Sequence, residues 1–251
     1  MYEEDSEFWS EYLSLYYSYV DQYHELQLRS FHRFFKSYQP PAGGAKLLEF
    51  GGGAVVCNLI SPVVKCKEIV FAEFMEDNCE RVKCWLRKDP SAFNWQPFFS
   101  YVVGTLEGGT EKNIEERKEL LRKIVKVVPC DIFQEHPVED KGPYDIVSSV
   151  LCLEYVCMTN EEFRESVSKL ASLVKPGGTL LMQVDENVHT WTYRGKMRKL
   201  NPISRDLMRE VLESAGFTHI TIDFLQPQSM PVEVVETLLG ITNAMFIVAT
   251  K

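Results

Sequence analysis

Short apolar runs alternate with longer amphipathic ones along most of this chain, and that alternation constrains the fold more than any other feature. "KLLEF" (46–50), "KEIVFAEF" (67–74), "VVPCDIF" (127–133), "YDIVSSV" (144–150) and "TLLMQVD" (179–185) read as strands. Between them "EDNCERVKCWLRKD" (76–89), "EKNIEERKELLRKIVKVV" (111–128) and "NEEFRESVSKLASLVK" (160–175) carry helical periodicity. In the first of these, Cys79, Val82 and Leu86 share a face. The last starts with Asn160 as its cap and an acidic first turn, and ends at Pro176-Gly177-Gly178. Strands alternating with helices predict an α/β fold with a mostly parallel sheet covered by helices on both faces. Strands that are apolar throughout fit burial on both sides. "SRDLMREVLESAG" reads as a late helix, and "FTHITIDFL" and "NAMFIVATK" as final strands. Upstream, residues 6–38 are rich in aromatics and helical in pattern, ending before Pro40-Pro41 and the turn-like "PPAGGAK". The glycines after "KLLEF" lead into a further helix reaching Val64. With 251 residues, 45% of them apolar, the chain can bury one sizeable core, and a single domain is expected.

Charge and cysteines narrow the class. A formal net charge of -9 disfavours polynucleotides and anionic membrane surfaces as partners. There is no apolar run of bilayer length, and "MYEEDSEFWSEY" lacks the basic start and apolar core of a secretory signal. The seven cysteines (57, 66, 79, 84, 130, 152 and 157) form no CxxC and do not cluster with the five histidines. Reduced thiols, a cytoplasmic location and no metal are the expectation.

Gly51-Gly52-Gly53 then raises a question of charge. A dinucleotide fingerprint wants G-x-G-x-x-G, but Val56 stands at the third position. Glu49, just before the glycines, would repel a phosphate. Glu73 closes the second strand roughly 20 residues on, where a carboxylate grips ribose hydroxyls. Asp131 ends the third strand in "CDIF", within reach of an adenine amino group. Acidic groups at three strand ends suit a nucleoside that carries positive charge and no phosphate, and S-adenosylmethionine is such a ligand. The Pro-Gly-Gly turn before the fifth strand is a recurring mark of methyltransferases using it. A nucleotide-dependent oxidoreductase remains as an alternative, weakened by the missing glycine and by Glu49.

"EYLSLYY" (11–17), "LLEFGGG" (47–53), "KEIVFAEFMEDN" (67–78), "CDIF" (130–133), "LCLE" (151–154), "KPGG" (175–178) and "YRGK" (193–196) come in an order and spacing that resemble the nicotinamide, phenylethanolamine and indolethylamine N-methyltransferase family. The resemblance covers nearly the whole chain. It implies a Rossmann-like class I methyltransferase fold with a seven-stranded sheet and an N-terminal helical lid over the cofactor. The parts would be a lid (1–40), a cofactor-binding core (46–185), an acceptor-site cover (186–202) and a C-terminal helix with final strands (203–251). It further implies S-adenosylmethionine as methyl donor and a small-molecule nitrogen acceptor; a monomer is expected.

The resemblance also assigns residues. Tyr12 and Tyr17 would cover the cofactor, and Gly51, Gly52 and Gly53 would hold its methionine end. Glu73, usually Asp in the family, would hold the ribose, with Asn78 near ribose and adenine. Asp131 and Ile132 would flank the adenine, and Val150 would pack on the cofactor. Cys57 falls where some members have Tyr. On the acceptor side, Asp185 and Glu154 match carboxylates that bind the acceptor's amide or amine and would carry the catalytic roles. His189 and Thr192 match further acceptor contacts, with Trp191 and Tyr193 as nearby aromatics. Apart from the resemblance, the tail 231–245 is expected to shape the acceptor pocket. A catalytically silent S-adenosylmethionine-binding protein of this fold is the remaining alternative, since Cys57 and Thr192 depart from the pattern.

Overall fold

A computed structural model of the 251-residue chain describes residues 6–140, 142–193, 196–225 and 243–251. The strands Ala45–Phe50 (β1), Cys66–Glu73 (β2), Val125–Pro129 (β3), Tyr144–Val150 (β4) and Val174–Glu186 (β5) precede a small hairpin of Thr190–Tyr193 (β6) and Lys196–Lys199 (β7). Thr218–Leu225 (β8) and Asn243–Thr250 (β9) follow, and the main sheet has seven strands in the order β3-β2-β1-β4-β5-β9-β8. β2 pairs parallel with β3, β1 with β4, and β4 with β5. β9 runs antiparallel to both β5 and β8. This is the mostly parallel sheet expected. The order reverses between β1 and β4, the kind of position outside which ligands bind in open α/β sheets.

The described residues divide into two compact units. The first holds residues up to 46 together with 52–129. Its N-terminal stretch is two helices, Ser6–Tyr16 (α1) and Gln22–Ser37 (α2), where one helical stretch was expected. Asp21 causes the break: its carboxylate accepts from the His24 backbone N–H at 2.8 Å and caps α2. The expected helix after the glycines is replaced by two 3₁₀ turns, Cys57–Leu59 and Pro62–Lys65. Pro62 has no N–H to donate, and Val55, Val56 and Val63 are stiff, β-branched and buried. After Glu76–Leu86 (α3) comes a helical stretch that the periodicity does not predict, Gln96–Phe99 (α4) running into a π-helical turn, Ser100–Leu106. Pro97 and Gly104 interrupt the apolar pattern there. Glu111–Ile124 (α5) passes directly into β3, so the third strand starts two residues before "VVPCDIF" and ends at Pro129, and the helix stops short of residue 128. Val125, Val127 and Val128 favour the pleated conformation, and Pro129 cannot extend the ladder.

The second unit holds 47–51 and 130–251. Leu47, Leu48, Ile146, Val147, Leu180, Leu181 and Ile247 on adjacent strands are fully buried. Each contributes about 1.5–3 kcal/mol on leaving water. After the short helix Leu153–Val156 (α6), Asn160–Leu173 (α7) is capped by Thr159, not by Asn160. The Thr159 hydroxyl accepts from the Glu162 N–H at 3.1 Å, and the Glu162 carboxylate accepts from the Thr159 N–H at 3.3 Å. Pro176-Gly177-Gly178 lies within β5: Tyr144 pairs with Val174 and Ile146 with Thr179, so residues 175–178 bulge opposite Asp145. Arg205–Ser214 (α8), the late helix expected, is capped by Ser204. No helix among the described residues is long and apolar enough to cross a membrane. The expectation for 231–245 falls, up to residue 242, outside the described residues.

Candidate active site

In the first unit the glycine turn is tied to the end of β2. Glu73 is 6% exposed. Its Oε2 accepts from the Gly53 N–H at 2.9 Å; its Oε1 accepts from the Met75 N–H at 2.9 Å and from Asn78 Nδ2 at 3.2 Å. Asn78 is buried, and its Oδ1 has no partner among the described residues. Glycine is required at Gly52, where a Cβ would lie 2.4 Å from the Phe71 ring. Cys57 is buried, and its thiol donates to Asn58 Oδ1 at 3.6 Å.

Tyr17 follows α1 and packs its ring 5.5 Å from Trp95, 5.8 Å from Phe98 and 4.8 Å from His24. The Tyr12 ring lies 6.0 Å away. Burial first, then the neighbouring Tyr12 and Cys57, hold the Tyr17 phenol well above its usual range, so it stays neutral.

In the second unit Gly51 leaves β1 with φ +69, and a Cβ there would lie 2.1 Å from Cys152 Sγ. Glu49 lies inside β1 opposite Ser148 and is 1% exposed, rather than standing at an open mouth. Val150 ends β4 and is buried. Asp131 does not end a strand. It sits in the turn after β3, where its carboxylate accepts from the Phe133 N–H at 3.0 Å and from Gln134 Nε2 at 3.0 Å. Ile132 beside it is buried, its carbonyl accepting from Lys169 Nζ at 2.9 Å.

The carboxyl end of β5 carries a buried polar cluster. Asp185 and Glu154 are each 2% exposed. Glu154 Oε1 accepts from the Asp185 backbone N–H at 3.2 Å, and Asp185 Oδ2 accepts from the Tyr155 hydroxyl at 3.0 Å. Glu154 Oε2 is buried and has no partner among the described residues. Burial first, and then the charge of Asp185, push the Glu154 carboxyl well above the usual carboxylate range. The sequence reading missed Tyr155: its partner lies 30 positions away, and no spacing rule joins them. His189 is exposed before β6, and Thr192 is part-exposed on β6 opposite Met197. The Arg198 guanidinium lies 5.5 Å over the Trp191 ring. The side chain of Tyr193 lies outside the described residues. No group of three or more histidine, cysteine or acidic side chains is placed to hold a metal among the described residues.

A family model described as the NNMT/PNMT/TEMT family matches residues 3–251. The chain belongs to this family. Among its relatives, nicotinamide N-methyltransferase of Homo sapiens is 32% identical over 178 residues, which cover 70% of this chain and 67% of the relative. Phenylethanolamine N-methyltransferase of Macaca mulatta is 30% identical over 179 residues, 69% of this chain and 63% of the relative. Solved structures share the fold at lower identity. The N-methyltransferase NodS from Bradyrhizobium japonicum WM9, in complex with S-adenosyl-L-homocysteine, superposes with a TM-score of 0.58 at 14% identity, over 98% of this chain and 99% of its own. Magnesium protoporphyrin IX methyltransferase from Synechocystis PCC 6803, with bound SAM, does so at 0.53 and 14% identity, over 91% and 80%. The family and the class I methyltransferase fold are those the sequence motifs imply.

Proposed function

We propose that this chain transfers a methyl group from S-adenosylmethionine to the nitrogen of a small molecule, a nicotinamide-like pyridine or an arylalkyl amine. It would do so as a single cytoplasmic domain over residues 1–251, monomeric and without a nucleic acid or membrane partner. Family membership supports the reaction, and one observation carries the acceptor chemistry: the buried Asp185, held by Tyr155 and flanked by Glu154 at the end of β5.

S-adenosylmethionine, when bound, supplies a methyl group on a cationic sulfonium, open to in-line displacement. The residues of the first unit fit its nucleoside end. A carboxylate has about four lone-pair sites, and the three N–H donors to Glu73 leave room at Oε2 for a ribose hydroxyl. The buried, unpartnered Asn78 Oδ1 offers a second acceptor. Gly52 and Gly53 would let a ligand approach the backbone, Cys57 would lie behind them, and Tyr12 and Tyr17 would exclude water. In the second unit Gly51, Val150 and Ile132 would supply apolar or backbone contact, with Asp131 shaping the turn beside the adenine.

Asp185 would accept hydrogen bonds from an acceptor's amide or ammonium. Holding the nitrogen in line is the main task, and good orientation lowers a barrier by roughly 7–11 kcal/mol. A pyridine nitrogen already has its lone pair. An alkyl amine, with a pKa of about 10, must first lose a proton, which Asp185 would take directly or through water. His189 and Thr192 would form the outer part of the acceptor site.

A turnover screen tests this. The chain is mixed with S-adenosylmethionine and nicotinamide, tryptamine, phenylethanolamine or simple alkyl amines, and methylated product and S-adenosylhomocysteine are read by mass spectrometry. Acceptor-dependent product is expected. Cofactor binding with no product on any acceptor would contradict the reading.

A further inference from the structure

Tyr155 and Asp185 stand 30 positions apart, yet the phenol of one donates to a carboxylate oxygen of the other. Glu154, the neighbour of Tyr155 on α6, meets the same residue too: its carboxylate Oε1 accepts from the Asp185 backbone N–H. Both carboxyl groups are buried, and each feels the other's charge. Two like charges there oppose each other, and one carboxyl keeps a proton. Burial and the charge of Asp185 outweigh the backbone N–H donors that Glu154 receives, and the unmatched Oε2 adds to that cost. Asp185 receives an O–H donor, which favours its ionised form. Charge on Glu154 would fall partly on Oε2, which is buried with no partner among the described residues.

We propose that Tyr155 is a positioning residue: its hydroxyl makes Asp185 the ionised, aimed carboxylate of the pair and leaves the proton on Glu154, so an acceptor meets one negative charge and not two. The inference rests on the methyl-transfer reading for the identity of the acceptor and deepens it. One charge suits a neutral pyridine carboxamide or a monocationic amine, and it gives no extra hold on a dicationic diamine. The Cys157 thiol, pushed up to about 11 chiefly by burial, stays neutral and lies 3.3 Å from the Ser166 hydroxyl. On α7, Glu162 is engaged by the Met158 and Thr159 N–H groups, and Lys169 by the Ile132 carbonyl.

Two measurements on the full chain test it. Infrared difference spectra at neutral pH should show the C=O stretch of a buried, protonated carboxyl that disappears in Glu154→Gln and shifts in Tyr155→Phe. A band that survives Glu154→Gln, or no such band in the wild type, overturns the inference. In steady-state kinetics Tyr155→Phe, which keeps the ring and loses only the hydroxyl, should raise the acceptor KM about tenfold or more, the effect of losing a hydrogen bond to an ionised group. Its kcat should change less, and its affinity for S-adenosylhomocysteine should stay within about twofold. An unchanged acceptor KM in an active enzyme overturns the inference. A wild type that methylates no acceptor defeats the methyl-transfer reading instead, and the infrared spectra still decide where the proton sits.

Discussion

Glu73 and Glu154 are both buried glutamates, one in each compact unit, and they are built in opposite ways. Glu73 receives three N–H donors spread over both oxygens. Glu154 accepts on one oxygen while the other stands buried without a partner among the described residues, and Asp185 adds like charge beside it. A carboxylate anchored by three donors is held in one place, and the site left at Oε2 suits a ligand that never varies. A carboxyl pair with unmet bonding capacity costs stability and is available for chemistry, as expected where a site must handle a proton or a changing acceptor. On the proposed reading, the cofactor side is preformed and the acceptor side is poised.

The largest expected effect breaks the poised side. Asp185→Asn keeps shape and removes charge. Its kcat/KM for acceptor should fall about a hundredfold or more, the scale for one member of a buried charged pair. Affinity for S-adenosylhomocysteine, measured by calorimetry, should stay within about twofold.

Next comes the preformed side. Glu73→Ala strips partners from the Gly53 and Met75 N–H groups and from Asn78. Cofactor affinity should drop about thirtyfold, and chemical denaturation should show a loss of about 2 kcal/mol.

The glycine turn sharpens the picture within one unit. Gly52→Ala drives a Cβ to 2.4 Å from the Phe71 ring and should cost about 1–3 kcal/mol. Gly53→Ala meets open space but keeps φ +61, and should cost only about 1 kcal/mol.

The smallest effect is a gain. Folding favours the protonated form of Glu154, so its contribution to stability is complete below the ordinary carboxylate range. That contribution is lost as pH rises toward its raised folded value. Glu154→Gln escapes the loss. Its melting temperature should match the wild type at low pH and exceed it increasingly above the ordinary carboxylate range, by about 1 kcal/mol of stability.

Much of this was legible in the residues, and the exceptions have local causes. The alternation of apolar and amphipathic runs led to the parallel strands, because each strand and helix carries its own period. The place of Glu73 at the end of β2 was legible because its distance from the glycines is a chain distance. What the sequence hid depends on three-dimensional company. The helix expected after Gly53 lost to Pro62 and a run of stiff valines. The third strand moved upstream because Val125–Val128 fit a pleat as well as a helix turn. Asp131 consequently became a turn residue. Thr159 displaced Asn160 as a cap because Glu162 could answer it. Tyr155 was invisible because its meaning lies wholly in Asp185, which only the packing of α6 against β5 reveals.

The division of labour between the two carboxylate sites is tested most directly by one paired kinetic measurement. Initial rates are collected for the wild type, Glu73→Asp and Asp185→Asn while S-adenosylmethionine and the best acceptor are varied independently. Glu73→Asp, one methylene shorter, should raise the KM for S-adenosylmethionine several-fold, about fivefold, and leave the acceptor KM unchanged. Asp185→Asn should do the reverse. If either variant moves both constants together, or each moves the other's, the preformed cofactor side and the poised acceptor side are not separate, and the account fails.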